Sequence, residues 1–277
     1  MIRTASEDDV PQLKQLFKSC FNDSDDFLNL FFKEYFPATT GMVAICEKQI
    51  AAMLFLCPAT MTVNTTCETL YYVYACATLP DFRRKGLMEN LLDAAFEYAR
   101  EQKAWGLLLV PANEPLFDYY EKLGFIPFSS LKEIVVAPAI SIQPIFSLCE
   151  LTPEEVTRIR TQKLNHDYQI HWNAAHVAFT TDMLKQAGGG LIGLRQENGR
   201  HDYLLYEVDE ELLTVVETSV EEQLLPQLAA FLQQQFAVST VHFYLQTVDY
   251  EQYSLVKSVK PFSIPKNVIP YFNLDMG

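Results

Sequence analysis

A chain of 277 residues that is 49% apolar, with 19 Phe and 14 Tyr, can bury a real core in one large or two small domains, which excludes intrinsic disorder. Its formal net charge of −14 repels nucleic acid and anionic membranes and suits a cationic partner. The six cysteines form no C-x-x-C pair, the start MIRTASEDDV is no secretory signal, and no apolar run approaches the roughly 20 residues of a membrane span, so a reduced, cytoplasmic protein is expected.

Ile2 to Thr4 reads as a short strand, and Ser6 caps a helix whose first turn carries Glu7, Asp8 and Asp9. Val10, Leu13, Leu16 and Phe17 follow at helical spacing, and a second helix starts at Ser24. Strands are expected at Met42 to Cys46 and Ile50 to Leu56, with Met61 to Val63 resuming after a break at Pro58. Leu70 to Thr78 is a strongly β-prone run that Pro80 ends. A long helix is expected over Lys85 to Gln102, then a buried strand at Leu107 to Val110 and a short helix from Pro115 to Lys122 closed by Gly124. Phe125 to Phe128 and Glu133 to Ala137 finish this half as strands.

Pro138 to Pro144 reads as a linker, dividing the chain into domains 1–140 and 141–277. Beyond it the order of elements repeats. Helices open at Thr152 and run near Ala174 to Gln186; Leu191 to Arg195 and Tyr203 to Val208 pair across Asn198-Gly199. A strand at Leu212 to Glu217, a helix at Glu221 to Phe236 and a strand at Thr240 to Leu245 complete the repeat. The expected fold is α/β (α+β), a mixed sheet flanked by helices, followed by a degenerate copy of the same plan. Gly188-Gly189-Gly190 follows a helix instead of opening one, which suits a C-terminal cap better than a phosphate loop.

The chemistry points to Cys76-Ala77-Thr78-Leu79-Pro80-Asp81-Phe82-Arg83-Arg84-Lys85-Gly86-Leu87-Met88. A strand stops, a tight turn follows and a long helix begins. Unpaired amides and the positive dipole end of that helix make an anion site. Basic residues at a helix start oppose the dipole, so Arg83, Arg84 and Lys85 in an acidic chain imply an anionic ligand; a solvated basic turn is the bland alternative.

Arg-x-x-Gly after a strand ending in Pro-Asp-Phe-Arg resembles the pyrophosphate loop of the GNAT acetyltransferases. Asn113, seven residues before the Tyr of Tyr120-Glu121-Lys122-Leu123-Gly124-Phe125, extends the resemblance. Met88 departs from the family's final Gly or Ala, and Arg-Arg-x-Gly-Leu followed by a non-glycine is also similar to Eis-like acetyltransferases, which join two GNAT-like domains. The resemblance implies acetyl-CoA as acyl donor with no metal and a primary amine as acceptor, and the acidic charge of the chain favours a small cationic one. It implies that the backbone of Ala77 and Thr78 pairs with the pantetheine arm, that Arg83, Arg84, Lys85, Gly86, Leu87 and Met88 hold the pyrophosphate, and that Asn113 contacts cofactor or an ordered water. Tyr120 becomes the general acid for the leaving thiolate, with Tyr119 its decoy. No carboxylate lies on the strand, so Tyr72 or Tyr74, or the terminal carboxylate of Gly277, stand as general-base candidates, and Cys76 reads as a small strand residue rather than a nucleophile. In the second half, Val216-Glu217-Thr218-Ser219-Val220-Glu221 occupies the place of the cofactor turn without its Arg or Gly, so no CoA site is expected there. A non-catalytic acyl-CoA sensor and a Fem-type aminoacyl transferase are the competing readings.

Overall fold

Strand β1 (Ile2–Thr4) and helix α1 (Val10–Phe21) open the chain, with α2 (Asp25–Leu30) capped by the Ser24 hydroxyl, which accepts from Phe27 N–H at 3.1 Å. Strands β2 (Thr40–Cys46), β3 (Gln49–Val63) and β4 (Thr66–Thr78) follow as an antiparallel meander. Helix α3 (Leu87–Glu101) leads to β5 (Gly106–Leu109), and α4 (Glu114–Lys122) to β6 (Ile126–Val135). These come from a computed structural model, which describes residues 1–137, 145–164, 166–246, 252–265 and 268–274.

Pro58 does not break β3. It stands opposite Tyr71 in the register with β4, past the last β2 pair at Leu56, so its missing N–H costs no bond in the β2 ladder. The two strands expected at 125–128 and 133–137 are one, β6.

The remaining elements are β7 (Phe146–Cys149), α5 (Pro153–Lys163), β8 (Ile170–His171), α6 (Ala174–Gln186), β9 (Gly190–Gln196), β10 (His201–Asp209), β11 (Leu212–Thr218), α7 (Leu225–Phe236), β12 (Thr240–Gln246) and β13 (Gln252–Ser258). Gly188, at φ 79°, ends α6 as expected of a cap. No local pattern announces β7 or β13.

The chain divides into two units, residues 1–128 with 253–268, and residues 129–252 with 269–277. A single cut at 140 therefore misses an exchange: β13 returns to the first unit and pairs antiparallel with β5, Leu255 opposite Leu109 and Ser258 opposite Gly106. The linker expected at Pro138 to Pro144 lies outside the described residues.

In the first unit the neighbours run β1-β2-β3-β4-β5-β13. One face carries Leu54, Leu56, Val73 and Leu107 against Leu91, Leu92 and Ala95 of α3 and Tyr120 of α4. The other face carries Phe55 and Tyr74 against Phe17 and Phe31 of the first two helical segments, with ring centroids 5.1 to 6.2 Å apart. Strand alternation sorts these side chains: Leu54 and Leu56 go one way, Phe55 the other.

Gly106 is where β13 fits. A Cβ there would lie 2.3 Å from the Lys257 carbonyl oxygen and 2.9 Å from Ser258 Cα, both backbone. Gly106→Ala is expected to push β13 off β5 and cost about 1–3 kcal/mol, seen as a lower unfolding midpoint in urea; an unchanged midpoint would show that the strand has slack.

The second unit repeats the plan. β9, β10 and β11 form an antiparallel meander, and α7 carries the chain to β12, which pairs in parallel with β11. This is the connectivity of β2, β3, β4, α3 and β5. Both meanders carry a bulge in the last strand: Phe55↔Tyr74 jumps to Met53↔Ala77 in the first, and Tyr206↔Val215 to Leu205↔Glu217 in the second.

Candidate active site

β4 and β5 pair in parallel over only two positions, Tyr71↔Leu107 and Tyr72↔Leu108. β5 stops at Leu109 while β4 continues to Thr78, so the strands part and the far end of β4 keeps an open edge towards the loop that leads to α4. The bulge accentuates the parting. Ala75 takes φ 51°, and Ala75 and Cys76 together oppose Leu54.

The turn after β4 is built from local rules. Pro80–Phe82 makes a 3-10 turn, with Phe82 buried as its anchor. Arg83 is extended, Arg84 has φ 61°, and Gly86 caps α3 at φ 72°, ψ 8°. Arg83 Nε donates to the Thr78 carbonyl at 3.0 Å, tying the turn to the strand it leaves. The first bond of α3 is Asn90 N–H to the Gly86 carbonyl at 3.0 Å, so the amides of Leu87, Met88 and Glu89 have no acceptor within the helix. A Cβ on Gly86 would meet nothing closer than Asn90 Nδ2 at 3.9 Å, so conformation, not crowding by the protein, requires glycine here. Gly86→Ala is expected to strain the turn by roughly 1 kcal/mol and weaken CoA binding several-fold in calorimetry; unaltered affinity would remove this turn from the binding site.

A cleft of about 800 Å³ opens at this point. It is lined by Ala77 and Thr78 from β4, by Arg83, Arg84, Gly86, Leu87 and Met88 from the turn, and by Asn113 and Tyr120 from the start and end of α4. The residues expected to hold the cofactor, and Tyr120 with them, thus face one cleft, except Lys85, whose ammonium lies over the Phe82 ring at 4.8 Å. Asn113 is the N-cap of α4 by backbone, yet its side chain makes no capping bond. The helix begins at Leu87, not Lys85, because Gly86 is left-handed. Open amides, a helix N-terminus and two arginines suit a diphosphate, and an unpaired strand edge suits an extended amide-bearing arm. Met88 joins the lining without closing the cleft.

Tyr120 is 6% exposed, and burial raises its phenol well above the usual value, with Cys76 adding to the effect. Its hydroxyl faces the Cys76 sulfur as the donor, a contact that raises the phenol and lowers the thiol. Burial likewise pushes Cys76 up to about 12. Tyr119 also lines the cleft; burial, then Cys76 and the Glu89 and Asp93 carboxylates, raise its phenol. Tyr72 and Tyr74 sit elsewhere: their rings are 6.1 Å apart, and Tyr74 packs with Phe17 and Phe31 on the opposite face of the sheet. Gly277 lies outside the described residues.

Cys20, Phe21, Leu116 and Glu89 also line the cleft. Cys20 sits 3.6 Å from the Thr78 carbonyl, a contact between positions 58 residues apart that no local pattern announces.

In the second unit the corresponding strand end is engaged. The Asn273 side chain donates to the Val216 carbonyl at 2.7 Å, and Glu217 is buried against Arg160. Trp172 Nε1 donates to the Asn273 carbonyl at 2.8 Å, and His176 Nε2 donates to the Leu274 carbonyl at 2.7 Å. Burial holds His176 neutral, at about 3, so its one ring proton sits on Nε2. Among the described residues no helix is long and apolar enough to cross a membrane, and no group of three His, Cys, Asp or Glu could hold a metal ion.

Three solved structures share this fold. A probable N-acyltransferase from Enterococcus faecalis superposes with a TM-score of 0.76 at 13% identity, covering 94% of this chain and 72% of its own. Eis1 from Mycobacterium abscessus gives 0.68 at 11% identity, covering 94% and 74%. A tandem GNAT protein from the clavulanic acid biosynthesis pathway gives 0.54 at 13% identity, covering 95% and 99%. No curated protein matches the chain in sequence. The family model of the acetyltransferase (GNAT) domain matches residues 1–128, the segment that holds the cleft.

Proposed function

We propose that the protein is an acetyl-CoA-dependent N-acetyltransferase that passes the acetyl group directly to a primary amine of a small cationic acceptor. The observation that carries this reading is the cleft itself: one cavity collects the unpaired amides of α3, the open edge of β4 and a protonated phenol. The backbone of Ala77 and Thr78 pairs with the pantetheine arm. Arg83, Arg84 and the amides from Gly86 to Met88 hold the diphosphate, with Lys85 adding charge from the rim. Asn113, its side chain unspent on capping, contacts the donor or an ordered water.

Holding amine and thioester together supplies much of the rate. The leaving thiolate then needs a proton, and Tyr120 is placed to give it. Burial raises the Tyr120 phenol well above its usual value, so it stays protonated at neutral pH and can act as an acid. The chain-wide negative charge favours a cationic acceptor, and the six free thiols suit a cytoplasmic setting. The second unit, degenerate in this reading, binds no acyl donor, because its matching strand end is held by Asn273 and its turn lacks the Arg and Gly; it serves acceptor binding or interaction.

Titration with CoA, followed by mass spectrometry of products from an amine library with acetyl-CoA, tests the proposal. One CoA per chain and an acetylated amine are expected. No CoA binding sinks it; binding without transfer to any amine favours the acyl-CoA sensor; tRNA binding at moderate salt favours the Fem-type transferase.

A further inference from the structure

Arg83 and Arg84 are neighbours in the turn and line the same cleft, yet their surroundings differ. The Arg83 guanidinium is engaged with the protein. Its Nε donates to the Thr78 carbonyl at 3.0 Å, and its Nη2 donates to the Cys20 sulfur at 3.9 Å. Cys20, in the last turn of α1, closes the triangle by donating its thiol proton to the same carbonyl at 3.6 Å. Arg84 has no hydrogen-bond or ion-pair partner among the described residues, and its backbone is left-handed at φ 61°.

The triangle matters because of where the Thr78 carbonyl points. Leu79 N–H donates across the sheet to the Ala51 carbonyl of β3 at 2.9 Å. Backbone groups alternate sides along a strand, so the N–H and C=O of Thr78 face away from β3, towards the open edge. A carbonyl oxygen has two lone pairs, and Arg83 and Cys20 occupy both. The edge at Thr78 therefore offers its N–H alone, and its negative oxygen is masked from an anion held by the α3 amides.

We propose that Arg83 is a positioning residue for the acyl donor: together with Cys20 it masks the Thr78 carbonyl and ties the end of β4 to α1, while Arg84 meets the diphosphate as a point charge. The inference rests on the reading of this cleft as the acyl-CoA site. A guanidinium donates from Nε and Nη2 at once, in a fixed fork. A lysine at position 83 keeps the positive charge but reaches from one atom only, so it cannot hold carbonyl and sulfur together. At position 84 no fork is in use, and an ammonium serves a phosphate as well. The two neighbours therefore differ in what lysine can replace.

The test is calorimetric titration of the full chain with CoA at low and high salt, about 50 mM and about 500 mM, where charge contacts are weakly and strongly screened. Arg83→Lys is expected to bind CoA about 5-fold more weakly at both salts, because the charge is kept and the fork is lost. Arg84→Lys stays within about 2-fold of wild type, whereas Arg84→Gln loses about 5-fold at low salt and less than about 2-fold at high salt. Cys20→Ala removes no charge; it lowers the affinity about 2- to 3-fold, and costs less than that in the Arg83→Lys background, since both act on one carbonyl. If the wild type binds no CoA, the reading of the cleft fails and the inference with it. If the wild type binds and Arg83→Lys binds as tightly, or recovers at high salt, Arg83 is only a point charge. If Arg84→Lys is as impaired as Arg83→Lys, or if the Cys20 and Arg83 losses simply multiply, the triangle does not act as a unit. Each of these last results overturns the inference and leaves the donor site standing. Should Arg83→Lys fail to fold, the same cycle is run with Arg83→Gln and Cys20→Ala, and simple multiplication of their losses again overturns it.

Discussion

Tyr120→Phe is expected to lower kcat for acetyl transfer by about 10²- to 10⁴-fold while the affinity for acetyl-CoA stays within about 2-fold. The expectation follows from what the substitution removes. The ring of Tyr120 packs in the core of the first unit, with its centroid 5.8 Å from that of Phe125 and 5.2 Å from that of Tyr119, and phenylalanine keeps those contacts. Only the hydroxyl goes. The groups proposed to hold the donor, namely the α3 amides, Arg83, Arg84 and the β4 edge, are untouched. An interaction made only as the thiolate departs therefore disappears, which lowers kcat and leaves ground-state binding alone. Tyr119→Phe is the matched control: it also loses a hydroxyl lining the cleft, and it is expected to cost less than about a tenth as much. Steady-state kinetics beside calorimetric CoA titration decide the matter. Equal losses in the two variants would move the proton donor to Tyr119, and no loss in either would remove phenols from the mechanism.

Much of the first unit was legible because its signals are local. Ser24 before a helix, Pro80 after a strand and the left-handed Gly86 before α3 each act within a few residues. The cofactor turn was legible for the same reason, since a strand end, a turn and a helix start are consecutive. What the sequence hid is set by distant partners. β13 is as apolar as many loops, and its place beside β5 depends on Gly106, roughly 150 residues earlier, lacking a side chain. Cys76 looked like one more small residue of a strand, because a bulge is invisible in a run such as Tyr72-Val73-Tyr74-Ala75-Cys76-Ala77. Only the register with β3 shows that Cys76 has changed sides. The Tyr72 and Tyr74 hydroxyls are general-base candidates by sequence, whereas the undisturbed part of the same strand turns them to the other face.

The largest stability effect is expected in the second unit, at Glu217→Ala. From the sequence, Glu217 is one of two carboxylates in a turn that has lost its phosphate-binding residues. In the structure it is 2% exposed and accepts four hydrogen bonds: from Arg160 Nε at 2.9 Å and Nη2 at 3.1 Å, from the Tyr203 hydroxyl at 2.6 Å and from the Tyr271 hydroxyl at 2.7 Å. Burial opposes the charge on Arg160, but Glu217, together with its tyrosine neighbours, outweighs it and keeps the guanidinium protonated above its ordinary range. Arg160 also donates to the Ile170 carbonyl, so α5, β8, β10, β11 and the C-terminal segment meet on one carboxylate. Removing it strands a buried cation and two buried hydroxyls, a change that costs about 3–5 kcal/mol where such pairs have been broken. Urea unfolding followed by circular dichroism is expected to show that loss as an earlier transition. The double replacement Arg160→Met with Glu217→Leu is expected to lose less than Glu217→Ala alone, because no charge is left unpaired, even though both tyrosines lose their acceptor. If the single variant unfolds at the wild-type midpoint, the carboxylate is not what joins these elements; if the double variant is the worse of the two, the ion pair contributes more attraction than its desolvation costs.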